Sequence, residues 1–335
     1  MKRLASILLL ALALVPARGA LNTEGLPAGA AVIAGFDLAA FYTTQLGQAV
    51  MKAGPINTGN STDSKSAKDK LGIDTQKDIH AVVLGVYPGA DGKLSEKNAQ
   101  GVILVRGKFD PTKINAAAKN AKVPSTPAGK YQAWEARAFF DAIFGPRPKG
   151  DNGEAYLVVY SADLIAIASK DFLDRALTAL EKNIQAELLP NEVRAKFNDA
   201  AKGWVFLYAD ATRAKMKDDS TGINELTLVL GETASDLQLS IAAKFITAEK
   251  ATSIRKQAKG LQAFAMIGLM SDDGKTPAEK EDLQTLSELI QKIRVGGEAN
   301  RATLDLDFSA EKSAKAIVHA IEKAQKEKPK APAAK

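Results

Sequence analysis

Gly101-Val102-Ile103-Leu104-Val105-Arg106-Gly107-Lys108-Phe109-Asp110-Pro111 decides the fold. Apolar residues alternate along it, as they do in a strand with one buried face. An aromatic closes the run. Asp110 then offers a helix N-cap, and Pro111 fits the first helical turn. The stretch therefore reads as a strand that runs directly into a helix.

The same unit recurs along the chain. Leu237–Phe245 leads into Thr247-Ala248-Glu249-Lys250, and Ala302–Phe308 into Ser309-Ala310-Glu311-Lys312. A looser copy is Leu164–Ala168, before Ser169 or Asp171. Each has another strand upstream: His80–Tyr87, Glu225–Leu230, Ile293–Glu298 and Tyr156–Tyr160, with Tyr131–Ala136 further upstream of the last. Asp91-Gly92, Ser161-Ala162-Asp163 and Glu298-Ala299-Asn300 are turn-like, so hairpins join these strands into antiparallel sheets.

A longer period lies over the short one. Ala31–Asp37 reads as a strand feeding a helix, Leu38–Lys52, and Gly203–Asp210 feeds Ala211–Lys217 in the same way. Two strand–strand–helix units follow each. The expected fold is α+β: two tandem β-α-ββ-α-ββ-α lobes, residues 28–185 and 200–326, mainly antiparallel sheets covered by helices. The first lobe carries a polar insertion, Pro55–Lys70, and an inserted loop, Ala138–Gly153. The second carries an added helical pair, Leu261–Met270 and Ala278–Lys292.

The N-terminus reads as a secretory signal: Met1-Lys2-Arg3, an apolar run from Leu4 to Val15, then Pro16-Ala17-Arg18-Gly19-Ala20. Cleavage after Gly19 places Ala17 at −3. The run is short of the roughly 20 residues that span a bilayer, and no later stretch is long and apolar enough. With no cysteine in 335 residues, neither a lipid-anchored cysteine nor a disulfide scaffold is available. A periplasmic or extracellular location follows.

The net charge of +6 is unevenly placed. Lys2, Arg3 and Arg18 belong to the signal, which leaves +3 on the mature chain. Lys323–Lys335 holds five Lys and one Glu, so the body before it is close to neutral. Nucleic acid calls for a basic face, which such a body does not imply. The segment 327–335, Lys, Pro and Ala after Glu327, reads as a disordered tail. It suits an anionic envelope polymer; an envelope protein is the other partner class.

Chemistry is hard to find in the residues. His319 lies about 180° from the apolar stripe of its helix, and His80 opens a strand. No zinc spacing, Gly-x-Ser-x-Gly elbow or phosphate loop occurs. Gly274-Lys275-Thr276 follows Gly268 at the wrong distance. Asp305 and Asp307 share one sheet face, which reads as a solvated face. No catalytic residue, metal site or cofactor is assigned.

The binding candidates are Phe139, Phe140, Phe144 and Arg147, within Ala138–Pro148. Three of the twelve phenylalanines fall in six residues of an inserted loop. Loops carry function disproportionately, although a short amphipathic turn plugging the core accounts for the same pattern.

Leu71-Gly72-Ile73-Asp74, Lys77-Asp78-Ile79, and later Val105-Arg106-Gly107-Lys108-Phe109-Asp110 resemble a pattern in a family of exported bacterial proteins with sheet–helix repeats. That family has no assigned activity. The resemblance implies a bacterial envelope setting and supplies no catalytic residues. The leading expectation is an exported, non-catalytic binding or structural protein of the cell envelope. The competing one is an exported, hydrolase-like enzyme, which would show a cleft lined by Asp or Glu with raised pKa values.

Overall fold

The computed structural model describes residues 23, 25–53, 63–94, 99–145, 154–182, 203–214, 222–270, 287–288, 290–315 and 317–318. The signal segment, Arg147, the 272–277 turn, His319 and the Lys/Pro/Ala tail lie outside the described residues.

The first half contributes β1 (Val32–Asp37), β2 (Ile79–Tyr87), β3 (Gln100–Gly107), β4 (Ser125–Ala128), β5 (Tyr131–Glu135), β6 (Ala155–Val159) and β7 (Leu164–Ser169). The second half contributes β8 (Gly203–Asp210), β9 (Ile223–Glu232), β10 (Asp236–Phe245), β11 (Ile293–Gly296) and β12 (Arg301–Ser309). All twelve lie in one sheet, in the order β11-β12-β10-β9-β8-β1-β2-β3-β7-β6-β5-β4. Every pairing is antiparallel.

The α+β class and the antiparallel pairing are as expected, but the halves share a sheet rather than forming one each. They meet where β1 pairs with β8, with Val32 opposite Ala209, Ala34 opposite Leu207 and Phe36 opposite Val205. Each of these strands would otherwise present an unpaired backbone edge. Outward from β1 the succession is β1-β2-β3-β7-β6; outward from β8 it is β8-β9-β10-β12-β11.

Seven helices are named: α1 (Leu38–Thr43), α2 (Gln45–Ala53), α3 (Asp63–Leu71), α4 (Pro111–Asn120), α5 (Ala136–Phe144), α6 (Leu173–Glu181) and α7 (Ala248–Met270). Residues 310–315 are helical as well. In the first half both sheet faces are covered. Ile33, Val83, Tyr87, Val102 and Leu104 cluster with Leu173, Leu177 and Leu180 of α6. On the opposite face, Phe36, Leu157, Val159 and Ile165 cluster with Phe41 of α1, Ile114 of α4 and Phe139 and Ile143 of α5. Full burial of each such side chain contributes about 1.5–3 kcal/mol.

Four local expectations change. Leu38–Lys52 is two helices, because Thr44 is extended (φ −79°, ψ 159°). Its hydroxyl then accepts the Gly47 N–H at 2.9 Å and opens α2. A Cβ at Gly47 would meet the Phe41 carbonyl oxygen at 2.0 Å, so the bend needs glycine there. The stretch from Ala138 is not a loop at its start: Ala136–Phe144 is helix α5, ended by Gly145 at φ +92°. Leu261–Met270 is no separate helix but the second part of α7, which begins at Ala248. Residues 211–214 form a turn instead of a helix.

In the second half, Leu239 pairs with Leu306 and Ile241 with Leu304, so these four share a face. Asp305 pairs with Ser240 on the other face and accepts its hydroxyl at 2.6 Å. Asp307 pairs with Arg294 as an ion bridge. The two carboxylates are thus engaged by neighbouring strands. Among the described residues, no helix is long and apolar enough to cross a membrane.

Candidate functional site

An open cleft of about 470 Å³ lies between α4 and the β4–β5 hairpin. That volume is within the range of small-molecule sites, roughly 300–1,000 Å³. Local sequence builds both walls. Asp110 caps α4, accepting the N–H groups of Thr112 at 3.0 Å and Lys113 at 3.1 Å, with Pro111 in the first turn. Ile114 and Ala118 face the core. Asn115 and Lys119, four residues apart, therefore share the adjoining flank.

Lys122 ends this segment in the left-handed region, φ 54°. The Val123 N–H reaches the Ala118 carbonyl at 3.0 Å, and the chain turns into β4. In the hairpin Ser125 pairs with Trp134 and Ala128 with Tyr131, with Gly129 at φ 58° in the turn. Along β5, Ala133 belongs to the core cluster beneath α6 and Trp134 to the opposite one. Alternation puts Gln132 on the Trp134 side.

Trp134 is 3% exposed, and its Nε1–H donates to Asn115 Oδ1 at 2.8 Å. The bond ties the two walls together and leaves the Asn115 NH2 group for other partners. Lys130 stands at the hairpin tip, its Nζ 3.7 Å from a Glu181 carboxylate oxygen and 5.2 Å from the Tyr131 ring centroid. A hydrogen bond to Tyr131 holds the Lys130 ammonium above its ordinary pKa. Tyr131 packs on Tyr160 with ring centroids 5.1 Å apart. Burial first, then the bond to Tyr131, pushes the Tyr160 phenol up.

Among the described residues, the lining includes two lysines, Lys119 and Lys130, two amides, Asn115 and Gln132, and no carboxylate. Such a set donates hydrogen bonds and supplies positive charge. It suits holding an acceptor-rich ligand and offers no nucleophile–base pair.

The phenylalanines singled out from the sequence lie elsewhere, on α5. Phe139 is 2% exposed, within the core. Phe140 and Phe144 are half-buried against the same cluster, their rings stacked with centroids 6.0 Å apart. Lys70 of α3 donates to the carbonyls of Ala142 at 2.9 Å and Ile143 at 2.8 Å, closing the C-terminal end of α5. Arg147 lies outside the described residues.

One carboxyl group has a pKa pushed up to about 6. It is Asp37, and burial is the main cause, opposed by hydrogen bonds from backbone N–H groups. Its Oδ1 accepts the Ala40 N–H at 2.8 Å, so it caps α1. His80 is half-buried in β2. Among the described residues, no group of three or more His, Asp or Glu is placed to hold a metal ion.

The cleft was missed in the sequence, although its parts are readable there. Asn115 and Lys119 follow a clear N-cap at helical spacing, and Gly129-Lys130 marks a turn. What no local pattern states is that the hairpin folds back onto α4.

No protein-family model matches the sequence, and no curated protein matches it. Among solved structures, the chain is similar to TP0453 in three crystal forms. In form I the TM-score is 0.44 at 12% identity, covering 90% of this chain and 98% of that one. In form III the values are 0.45, 12%, 90% and 99%. In form IV they are 0.46, 12%, 89% and 97%.

Proposed function

We propose that this is an exported, non-catalytic binding protein of the bacterial cell envelope. It is built from two repeats that share one succession of paired strands and helices, the second with a turn at 211–214 and the first with the added β4–β5 hairpin and α5, and it binds its ligand in the cleft between α4 and that hairpin. The observation that carries the reading is the lining of that cleft: two lysines and two amides, with no carboxylate among the described residues. The signal-like N-terminus supports export, and the resemblance to exported sheet–helix repeat proteins supports the envelope setting. The matching strand succession of the two halves supports the repeat.

Co-sedimentation of the mature protein with washed envelope fragments tests binding. The wild type is expected to pellet. Lys119→Glu combined with Gln132→Ala is expected to remain in the supernatant while keeping the wild-type circular dichroism. A folded double variant that pellets as well as the wild type overturns the cleft as the site. N-terminal sequencing of exported material tests processing. A start at or near Ala20 is expected, and an intact Met1 overturns it.

A further inference from the structure

We infer that the ligand of this cleft is an acidic polysaccharide, a chain of hydroxyl-bearing sugars with carboxylate groups. The inference rests on the cleft being the binding site and goes on to name what it takes. The first ground is charge. Lys119 and Lys130 lie on opposite walls, one at the end of α4 and one at the tip of the hairpin. Lys119 offers its positive charge directly to a carboxylate in the ligand, Lys130 shares its charge with Glu181 at 3.7 Å, and the described lining residues add no carboxylate of their own.

The second ground is the hydrogen-bonding inventory. Gln132 supplies a complete amide, donor and acceptor, and is exposed. The Asn115 oxygen is engaged by the Trp134 indole, leaving donors. Amides of this kind read hydroxyl groups, which both donate and accept. Pro127, at the outer strand of the sheet, adds an apolar edge to the same lining.

The third ground separates sugar from nucleic acid. Single-stranded nucleic acid is gripped by aromatic faces on which bases stack. Trp134 has its ring 3% exposed and its Nε1–H engaged, so it offers no such face. Tyr131 is half-buried, its ring tilted against Tyr160 with centroids 5.1 Å apart. Among the described residues the lining also has no arginine, the side chain with the planar fork that suits phosphate.

The test is isothermal titration of the mature, full-length protein with polygalacturonate, a homopolymer of a uronic acid. Dextran, poly-L-glutamate and a single-stranded DNA oligomer serve as comparison ligands. Polygalacturonate is expected to bind, and Lys119→Glu to weaken it about tenfold, with Lys119→Gln intermediate. Raising the salt to about 1 M is expected to weaken it as well. Lys119 is exposed, so both variants should fold, and matching circular dichroism verifies it. Equal binding of dextran overturns the acidic part of the inference. Equal binding of poly-L-glutamate or DNA overturns the saccharide part. If envelope fragments still bind through Lys119 and Gln132 while polygalacturonate does not, the ligand class falls and the binding function stands.

Discussion

Glu232 accepts the backbone N–H of Gln45 although 187 residues separate them. The same carboxylate accepts the Leu46 N–H at 3.2 Å. A strand end in the second half therefore caps a helix of the first, α2. Glu232 is 4% exposed and sits at the positive end of α2. In the other direction, the Leu94 N–H reaches the Ala214 carbonyl at 3.2 Å. The halves are joined by these bonds as well as by the β1–β8 pairing.

Glu232→Ala is expected to destabilise the protein by about 1.5–3 kcal/mol, since it strips two buried donors of a charged acceptor. Glu232→Gln keeps one acceptor oxygen and should lose about half as much. Urea unfolding with an unchanged slope checks this. A midpoint unmoved by Glu232→Ala would show that water replaces the carboxylate without cost.

Asp37 sets a pH dependence of opposite sign to that of an ordinary paired carboxylate. Its folded pKa of about 6 lies above the ordinary carboxylate value of 3.8. The folded state thus binds more protons than the unfolded state between those values. The stability that Asp37 contributes is full below about pH 4 and is lost as pH rises through 6. Asparagine caps helices as well as aspartate does. Asp37→Asn should therefore stabilise the protein at pH 7, by up to about 3 kcal/mol, and flatten the profile between pH 4 and 6. Equal wild-type and variant stability across that range would refute the assignment.

Much of the strand plan was legible because it rests on local signals. β8 runs over Gly203–Asp210 as the alternation indicates, and Asp110 caps α4. The break at Thr44 was not legible, because the group that captures the start of α2 is Glu232, far away in sequence. The join of β1 to β8 was hidden for a related reason: alternation tells which face a residue takes and not which strand lies beside it. β4 was overlooked on account of Pro127, which is tolerated because β4 is the last strand of the sheet. Helix α5 did carry a signal. Ala136, Phe139 and Ile143 are buried at spacings of three and four, which the Gly-Pro run after Phe144 obscured.

Phe139 and Phe144 should separate by depth. Phe139→Ala opens a cavity under α5 and is expected to cost about 3–5 kcal/mol. Phe144→Ala removes a half-buried ring stacked on Phe140 and should cost roughly 1–2 kcal/mol, in proportion to the smaller area buried. Thermal unfolding of both variants is the measurement. Equal losses would mean that Phe144 is as deeply held as Phe139.

Asn115 separates stability from binding, because its oxygen serves the fold and its NH2 group is left for a ligand. Asn115→Ala removes the acceptor of the Trp134 Nε1–H. A buried indole donor is then orphaned, and about 1–3 kcal/mol of stability should be lost. Asn115→Asp keeps an acceptor at that place, so Trp134 stays paired and the loss should be under about 1 kcal/mol. The same change replaces a donor with a negative charge on a wall whose described lining residues carry no carboxylate. Binding to envelope fragments should fall by about tenfold or more in Asn115→Asp, despite near-native stability. Unfolding midpoints and co-sedimentation, measured on the same preparations, test both halves of the expectation. An Asn115→Asp protein that is stable and binds as well as the wild type would take Asn115 out of the ligand's reach.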